Sequence, residues 1–423
     1  MWFRRDLRLA DNPALLAAVA EGEGGVVPLF VLDDRLLQPS GANRIAFLFR
    51  ALRALDESMG GGRLVLRRGD PTEVVPALAR EVGADHVHVS ADFGPYGRER
   101  DDALGDLLVR TGSPYAVDPG TVRKTDGTPF RVFTPFSKTW RTHRWDAPEE
   151  APTDVEWVGA TSEGIPDDPP VAATLPEAGE ASAHRRLAQF RERLDRYSDD
   201  RNTPGTDGTS RLSVDLKYGT LHPRQLLDGL GRTAGEQRFR TELAWREFYA
   251  DVLWHRPETA RHALLPAMAN IEVDEGPDAD ERFEAWAQGR TGYPIVDAGM
   301  RQLVAEGWMH NRVRMITASF LVKDLHLDWR RGARFFLRHL VDGDLASNQH
   351  GWQWVAGTGT DPSPYYRIFN PTLQGERFDP DGVYVRRYLP ELGTPAYPSP
   401  IVDHDVERKD ALARYAAAKA QSG

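Results

Sequence analysis

The first part of the chain alternates short apolar runs with segments in which apolar residues recur at helical spacing. Segments 43–59 and 71–83 have the 3.6-residue period of amphipathic helices. Around them lie runs rich in β-branched residues and bounded by turn formers, as is typical of strands: 25–33 (GVVPLFVLD), 63–70 (RLVLRRGD) and 86–92 (HVHVSAD). This alternation predicts a parallel α/β sheet over residues 1–135.

The pattern is irregular at its start, because Met1 is followed almost directly by WFRRDLR at 2–8, which leaves little room for a first strand. We therefore expect the first strand to be missing, or the natural N-terminus to be longer. The segment is charged and lacks the apolar stretch of a secretory signal. No run of about 18 or more apolar residues occurs, so no membrane-spanning helix is expected.

The rest of the chain changes character twice. Residues 146–184 are rich in proline, acidic and small residues and follow no sustained period, which is typical of a connector. The residues beyond have apolar positions at helical spacing and little that alternates as a strand does. We therefore predict an α/β plus all-α protein, with a Rossmann-like parallel-sheet domain at 1–135, a long linker at 136–184 and a helical domain at 185–423.

Composition limits the chemistry. The 423 residues include no cysteine, which excludes disulfides, cysteine-ligated iron–sulfur clusters and thiol nucleophiles, and is compatible with a reducing cytoplasm. The formal net charge of -10 argues by itself against a nucleic-acid partner. Residues 309–338 depart from this balance, since basic residues there outnumber Asp324 and Asp328. The charge alone favours a solvated helical face with structural ion pairs over a binding surface.

Motifs of several common enzyme classes are absent from the sequence. No GxGxxG follows a predicted strand, and Gly22, Gly24 and Gly25 do not have the required spacing. P-loop, HExxH and GxSxG motifs are also missing. The sequence therefore offers no support for a dehydrogenase, an NTPase, a zinc protease or a serine hydrolase, and no metal site is predicted.

Most of the 11 tryptophans lie beyond residue 240. Trp308 stands in GWMHNRVRM, and Trp352 and Trp354 stand in DGDLASNQHGWQW. Each of them could be an ordinary core residue. A core alone, however, does not require the polar and charged residues around them, so these segments are candidates for a functional site.

Several segments, in order along nearly the whole chain, carry a resemblance to one family. They are WFRRDLRLADNPAL (2–15), DGTSRLSVDLKYGTLHPRQ (207–225), ELAWREFY (242–249), GYPIVDAGMRQLVAEGWMHNRVRMITASFLVKDL (292–325), DGDLASNQHGWQWVAGTGTD (342–361) and YYRIFNPTLQGERFDP (365–380). The chain resembles the photolyase/cryptochrome family, and within it the microbial class I photolyases that repair cyclobutane pyrimidine dimers in DNA. The family fold, an α/β antenna domain, a long connector and a helical FAD-binding domain, agrees with the pattern above.

The resemblance implies that the helical domain holds FAD in a folded form. Contacts to its phosphates and ribitol would come from Tyr197, Thr209, Ser210, Arg211, Leu212 and Ser213. Amides and hydroxyls in a turn that enters a helix suit a diphosphate, and an arginine adds a charge-assisted bond. The same run is also typical of the ordinary capped start of a helix.

A second set of residues would line the isoalloxazine and adenine rings: Arg246, Asn311, Arg314, Asp342, Asp344 and Asn348. Arg314 and Asp342 would form an ion pair beside the flavin, and Asp344 would accept a hydrogen bond from the ring edge. Asn348 would face the flavin N5, where plant cryptochromes carry Asp and insect cryptochromes Cys. Because an amide supplies no readily transferable proton, Asn348 favours an enzyme that works with fully reduced FAD.

A dimer inside a duplex cannot meet a buried flavin, so it would be flipped out into a pocket with flat walls. Trp245 and Trp354 would stack on its bases, and Met315 would pack on it. Glu242 would hydrogen-bond the 5′ base and stabilise the radical anion formed by electron transfer from excited FAD. The residues that match this catalytic pocket are Glu242, Trp245, Asn311, Met315 and Trp354, and those that match DNA-backbone contacts are Arg201, Arg312 and Arg367.

The sequence departs from the family pattern in the chain of tryptophans that reduces the flavin. Trp352 and Trp329 match its inner members. The outer member should lie at Glu275 or Gly276, in an acidic segment whose aromatic residue before Trp286 is Phe283. We therefore expect photoreduction to take another exit, or to be weak while the cell reduces the flavin chemically.

The antenna chromophore is the second open point. Segment 92–102 (DFGPYGRERDD) resembles the branch that carries 8-hydroxy-5-deazaflavin, and the folate branch tends to have an acidic residue where Gly97 stands. We expect 8-hydroxy-5-deazaflavin, with methenyltetrahydrofolate or no antenna as alternatives. The resemblance further implies a cytoplasmic monomer whose partner is DNA containing cyclobutane pyrimidine dimers, with no membrane association.

Other functions remain possible at this point. A cryptochrome-like blue-light receptor is expected to lose pocket residues or gain a long C-terminal extension, and neither is seen. A (6-4) photolyase places histidine in the pocket, so Met315 argues against it, and Met315 and Trp354 together argue against a single-strand-preferring enzyme. A DNA-binding protein without flavin is the remaining alternative.

Overall fold

The computed structural model describes residues 1–360 and 366–421, so Asp361, which ends one of the segments quoted above, and Tyr365, which begins another, lie outside the described residues. Within the described ranges the strands are β1 (Trp2–Phe3), β2 (Leu29–Leu32), β3 (Val65–Arg68), β4 (Val87–Val89) and β5 (Leu108–Arg110). The helices of the first part are α1 (Pro13–Glu21), α2 (Asp34–Leu37), α3 (Ala42–Ser58), α4 (Pro71–Val82), α5 (Pro95–Leu104) and α6 (Phe133–Trp140).

The remaining described chain is helical. Its helices are α7 (Glu180–Arg191), α8 (Tyr197–Asp200), α9 (Ser213–Tyr218), α10 (Pro223–Leu227), α11 (Ala234–His255), α12 (Pro277–Ala287), α13 (Pro294–Glu306), α14 (Asn311–Lys323), α15 (Trp329–His339), α16 (Leu345–Ala356), α17 (Pro371–Phe378), α18 (Val383–Tyr388) and α19 (His404–Ala420). No helix in residues 1–360 or 366–421 is long and apolar enough to cross a membrane.

All strand pairs of the α/β part are parallel. β1, β2 and β3 form one ladder in that order, in which Phe3 lies opposite Phe30 and Phe30 opposite Leu66. β4 pairs with β5 and lies beside β1. The predicted strands are confirmed, and so is the parallel sheet. The expectation of a missing first strand is wrong, because Trp2 and Phe3 pair with β2 and are buried there by helices on the sheet.

The predicted helices of this part begin and end where their capping residues lie. In α4 the side chain of Asp70 accepts a hydrogen bond from the amide of Thr72, and Pro71 occupies the first turn, where its missing N–H costs nothing. The helix ends at Gly83, whose φ of 69° is left-handed and therefore favours glycine. Helix α3 covers the other predicted segment, 43–59, within one residue at each end.

The connector between α6 and α7 has no helix or strand in residues 141–179, all of which are described, and it is fastened to its neighbours. Its backbone bonds to Val26 on both sides, through the carbonyl of Glu156 at 2.8 Å and the amide of Val158 at 2.9 Å. Further along, the amide of Thr174 donates to the carbonyl of Ala305 at 2.8 Å. The connector therefore joins the α/β part to the end of α13, whereas the exact domain boundaries stay a prediction.

The helical domain packs α13, α14, α15 and α16 around one apolar core. Trp286 and Trp352 are buried there, with their ring centroids 6.2 Å apart. Gly332 allows α15 to approach Trp352, because a Cβ at this position would lie 2.1 Å from the indole ring. Close packing of this kind fixes the orientation of α16, which carries much of the site.

The two domains meet beneath α9. The amide of Leu7, in the loop after β1, donates to the carbonyl of Tyr218 at 3.1 Å. Gly219 follows with a φ of 70°, and a Cβ there would lie 1.9 Å from the carbonyl oxygen of Arg5. The close approach therefore requires glycine at position 219. This contact holds the loop after β1 against α9, which forms part of the wall of the site described below.

Candidate active site

A cavity of about 520 Å³ lies in the helical domain, which is within the usual size of ligand sites. Its lining comes mainly from α9, α11, α14 and α16. The residues predicted for the site that line it are Tyr197, Arg201, Ser210, Leu212, Ser213, Glu242, Trp245, Arg246, Asn311, Arg312, Arg314, Met315, Asp342, Asp344, Asn348, Trp352 and Trp354. Residues that are up to 157 positions apart in sequence thus meet in one cavity, since both Tyr197 and Trp354 line it.

Two indole rings form flat parts of the wall. Trp245 stacks on Phe133 of α6, with ring centroids 3.6 Å apart and an interplanar angle of 7°. Trp354 has the guanidinium of Arg367 at 5.5 Å from its ring centroid, on the side of a neighbouring cavity. Both rings are therefore held by contacts outside the main cavity, which leaves surface on each for a bound group.

Charged and polar groups stand between these rings. Arg201 Nη2 lies 2.9 Å from Glu242 Oε1, and Arg312 Nη2 donates to Asn202 Oδ1 at 2.8 Å. Burial raises the pKa of Glu242, and the positive charge of Arg201 opposes that rise. Burial, with a smaller effect of Glu242, raises the pKa of Tyr197 to about 12. The hydroxyl of Tyr197 is consequently a neutral donor at physiological pH.

Asp342 anchors one side of the cavity. Its Oδ2 accepts hydrogen bonds from Ser213 Oγ at 2.6 Å and from Arg314 Nη2 at 2.8 Å. Its Oδ1 is buried and has no hydrogen-bond partner among the residues that the structure describes. A buried oxygen in that position is costly unless a bound group donates to it.

Asn348 and Asp344 occupy the start of α16. The amide nitrogen of Asn348 donates to the carbonyl of Ala333 at 3.1 Å and to Gln349 Oε1 at 2.9 Å, so its oxygen remains as an acceptor. Asp344 caps the helix by accepting from the amide of Ser347 at 3.0 Å. Burial alone would raise the pKa of Asp344, but the positive charges around it, first that of Arg5, hold this pKa well below its usual range.

Four predicted residues do not line the cavity. Thr209 is absent from its lining, and Arg211 has a left-handed φ of 53° and an exposed side chain, which pairs with Glu306 at 3.2 Å. Trp329 borders a small cavity of about 70 Å³ instead. Arg367 borders the cavity of about 250 Å³ beyond Trp354. The backbone turn at Arg211 is what directs its side chain away from the site.

Sequence reasoning missed Lys217, which also lines the cavity. Burial, followed by the positive charge of Arg5, lowers the pKa of the Lys217 ammonium to about 7. Lys217 lies inside the quoted segment 207–225, so its position was available as a signal. Arg5 likewise lies inside the quoted segment 2–15, but its contact with Asp344 had no signal in the sequence, and Phe133 lies in none of the quoted segments.

Several arginines of the basic segment 309–338 form ion pairs with acidic residues of the protein itself. Arg314 pairs with Asp342, Arg330 with Asp328 at 2.6 Å, and Arg331 with Asp280 at 2.8 Å. Arg312 lines the cavity as well. The structural interpretation therefore holds for several of these residues, whereas a binding role for the segment stays a prediction.

The residues present fit a bound FAD. Ser210 and Ser213 stand at the entry to α9, where the Ser210 hydroxyl can donate to a diphosphate or ribitol, while the Ser213 hydroxyl already donates to Asp342. The buried Oδ1 of Asp342 and the amide oxygen of Asn348 supply acceptors for N–H or O–H groups of such a ligand. Apolar and aromatic lining between them suits a flat ring.

A second cavity, of about 510 Å³, lies in the α/β part at the amino ends of the strands. Its lining includes Met1, His86 and His88 but no phenylalanine, tyrosine, tryptophan, arginine or lysine. A flat anionic chromophore would find few matching groups there. Segment 92–102 does not line this second cavity, and two of its arginines contact other side chains of the protein. Arg100 pairs with Asp101 at 2.7 Å, and the guanidinium of Arg98 lies 3.7 Å from the Trp254 ring centroid.

An α/β domain packed against a helical domain that encloses a large cavity is typical of two-domain proteins that bind a nucleotide cofactor. Comparison with known families identifies the family to which this chain belongs. The model described as "DNA photolyase" matches residues 1–154, and the one described as "FAD binding domain of DNA photolyase" matches residues 239–395. A deoxyribodipyrimidine photo-lyase of Halobacterium salinarum is 38% identical over 99% of this chain and 98% of its own. The chain therefore belongs to the DNA photolyase family, which confirms the expectation of an FAD-dependent enzyme of that family.

Solved structures agree in fold. A bacterial class III photolyase from Agrobacterium tumefaciens is 39% identical, with a TM-score of 0.91 over 99% of this chain and 97% of its own. An archaeal photolyase from Sulfolobus tokodaii, described with two FAD molecules that imply a novel light-harvesting cofactor, is 29% identical, with a TM-score of 0.84 over 98% of this chain and 99% of its own. The predicted α/β plus all-α fold is confirmed, while membership of class I stays a prediction.

Proposed function

We propose that this enzyme uses light to repair cyclobutane pyrimidine dimers in DNA, by electron transfer from excited reduced FAD to a flipped-out dimer. The observation that carries the proposal is the meeting, in one cavity, of Glu242, Trp245, Asn311, Met315 and Trp354 with the predicted FAD contacts. Reaction with a flipped-out base needs this combination of flat walls and few polar groups.

The chain's own residues bind and orient the dimer. The free faces of Trp245 and Trp354 stack on its two bases, which is a sequence-tolerant interaction. Met315 packs against it, and Asn311 and Glu242 bond to the base edges. Burial raises the pKa of Glu242 and so favours its protonated form, in which the carboxyl would donate a hydrogen bond to an oxygen on which negative charge develops.

When bound and reduced, FAD supplies the electron on absorbing light. Ser210, Leu212 and Ser213 would hold its phosphates and ribitol, and the ion pair of Arg314 and Asp342 would lie beside its rings. The amide oxygen of Asn348 would accept a hydrogen bond from the reduced ring, because its amide nitrogen already donates to Ala333 and Gln349. Thr209 and Arg211 would act by shaping this turn, since neither lines the cavity.

Contacts with the DNA backbone come from Arg201, Arg312 and Arg367. Arg201 and Arg312 line the cavity, and Arg367 lies beside Trp354. Such contacts carry affinity without sequence information, and they make binding depend on salt. A basic rim of this kind lets a chain with a net charge of -10 bind DNA. We further propose a cytoplasmic monomer.

Photoreduction is proposed to start at Trp352, whose ring centroid lies 4.9 Å from that of Phe336, and to pass to Trp329. Glu275 and Gly276, at the expected outer position, are exposed and not aromatic. For the antenna we retain 8-hydroxy-5-deazaflavin, with methenyltetrahydrofolate or no chromophore as alternatives. The second cofactor described for the Sulfolobus tokodaii photolyase supports the presence of some light-harvesting group.

Continuous illumination of defined substrates tests the proposal. FAD-loaded protein is reduced with dithionite without oxygen and mixed with oligonucleotides that carry a thymine cyclobutane dimer, a (6-4) product or no lesion. Recovery of thymine absorbance in the light, and not in the dark, is expected for the cyclobutane dimer alone. Recovery of the (6-4) product would contradict the substrate assignment. A lack of recovery with every substrate would favour a cryptochrome-like blue-light receptor.

A further inference from the structure

We infer that Arg5, a residue of the α/β domain, is a positioning residue of the flavin site. It holds Asp344 as an ionised carboxylate and thereby sets the reduction potential of the bound flavin. The inference rests on the proposed function, since that proposal places Asp344 at the edge of the flavin ring.

The contact joins two distant parts of the chain. Arg5 follows β1, and its Nη2 lies 3.0 Å from Oδ2 of Asp344, which caps α16 in the helical domain. The side chains are 27% and 16% exposed, so the pair is more enclosed than ordinary surface ion pairs. The α/β domain thus contributes a charge directly to a residue that lines the cavity.

The backbone fixes Arg5 in this position. Its carbonyl oxygen is so close to Gly219 that no Cβ fits there, and the neighbouring Leu7 amide donates to Tyr218 at 3.1 Å. Both partners belong to the end of α9, whose beginning carries Ser213 of the cavity lining. Arg5 therefore keeps a constant position relative to the cavity, and its ion pair does not depend on a flexible loop.

The charged groups around Asp344 make its ionisation sensitive to the charge of Arg5. Asp344 has the positive charges of Arg5, Lys217 and Arg246 near it, of which Arg5 has the largest effect. Asp92 adds a half-buried negative charge near Arg5. Within such an enclosed cluster the interaction between charges is much stronger than in water. Loss of Arg5 would leave the carboxylate of Asp344 less compensated, close to the place where a reduced flavin carries negative charge.

The direction of the effect follows from the sign of the charges. A less compensated carboxylate repels the negative charge gained on reduction, so the oxidised flavin is favoured and the midpoint potential falls. The expected size is about a tenfold rise in the ratio of oxidised to reduced flavin at a fixed potential, the scale of one partly screened charge inside a protein. Protein groups near the ring are known to tune flavin chemistry in this way.

The test compares Arg5→Gln with Arg4→Gln as its matched control. Arg4 is the neighbouring residue, and its Nη1 pairs with Asp101 Oδ1 at 2.6 Å inside the α/β domain, away from the cavity. Midpoint potentials are measured on FAD-loaded proteins by reductive titration against reference dyes. Arg5→Gln should shift the potential to a more negative value, and Arg4→Gln should leave it at the wild-type value.

A milder substitution, Arg5→Lys, allows the inference to be tested even if Arg5→Gln does not fold. Arg5→Lys retains the charge but has a shorter reach and no planar fork, so it should shift the potential in the same direction by less. An unchanged or more positive potential in the Arg5 variants, or an equal shift in Arg4→Gln, would overturn the inference. Because the titration needs neither DNA nor light, it stands whether or not the protein repairs dimers.

Discussion

Arg201 and Glu242 form an ion pair in the lining of the cavity, with 2.9 Å between Arg201 Nη2 and Glu242 Oε1. The sequence assigned them to separate tasks, one on the DNA backbone and one on the damaged base. The pair would couple these tasks, because the positive charge of Arg201 opposes the burial that raises the pKa of Glu242.

Replacement of Arg201 should therefore change the pH dependence of repair. Burial raises the pKa of Glu242 and Arg201 lowers it, so Arg201→Ala should raise it further. If the protonated carboxyl stabilises the dimer anion, repair per absorbed photon declines as pH rises through this pKa. We predict that Arg201→Ala moves this decline to higher pH, measured with substrate at saturation.

Glu242→Gln is the control, because its amide donates a hydrogen bond but does not titrate. Its repair yield should be lower than that of the wild type and flat across the same pH range. A decline that moves to lower pH in Arg201→Ala, or one that persists in Glu242→Gln, would show that Glu242 does not act as a donor.

Trp354→Ala should weaken binding of dimer-containing DNA about tenfold to a hundredfold, the range for loss of one stacked base. Affinity for undamaged duplex should change little, since backbone contacts remain. Fluorescence anisotropy at fixed salt measures both. Trp354→Phe keeps an aromatic ring that can stack and can contact Arg367. Its affinity for dimer-containing DNA should therefore lie between those of the wild type and Trp354→Ala. An equal loss for damaged and undamaged DNA would argue against a stacking role.

Asp342→Asn should reduce FAD retention by about tenfold or more, because Arg314 loses its charged partner in a partly buried site. The amide oxygen can still accept from Ser213, so the fold should persist. Asp328→Asn removes the more exposed pair with Arg330 and keeps a capping side chain, which makes it the matched control. Flavin absorbance after gel filtration should fall in the first variant only, and equal losses would refute the assignment.

His310 should make the protein less stable in acid. Burial, followed by nearby arginines, lowers the pKa of His310 to about 3, and its Nδ1 accepts from the amide of Arg312 at 3.2 Å. The folded protein therefore keeps His310 neutral while the unfolded chain binds a proton below about pH 6.5. Its contribution to the free energy of unfolding should fall by up to about 1.4 kcal/mol per pH unit from pH 6.5 towards pH 3.

His310→Asn isolates this contribution, because asparagine caps a helix well and does not titrate. Urea unfolding at pH 7 and pH 5 should show a smaller loss of stability on acidification in the variant than in the wild type. Equal losses would mean that other groups, such as the buried His222 and His350, carry the acid sensitivity.

Local pattern predicted much of this architecture. Segment 71–83 has its start signal in Asp70, directly before it, and its stop signal in Gly83, so α4 could be placed from sequence. The first strand was missed because two residues are too few for any periodicity, and their strand character arises from pairing with β2. Short strands depend on partners that only the folded chain provides.

The site was predictable in its membership and less so in its details. Segments that resemble the family supplied Glu242, Trp354 and Asp342, all of which line the cavity. The exposure of Arg211 depends on a left-handed backbone turn, and the contact between Arg5 and Asp344 spans 339 positions. Neither is encoded in a local pattern, since both arise from the way the domains pack.

The central claim is that the cavity brings a dimer against reduced FAD, and single-turnover repair tests it most directly. Excess FAD-loaded, dithionite-reduced protein is bound to an oligonucleotide with one thymine dimer and exposed to a series of blue flashes. The proposed function requires stepwise recovery of absorbance near 260 nm in the light and none in the dark. A fully reduced protein that binds the oligonucleotide and restores no thymine after any number of flashes would contradict it.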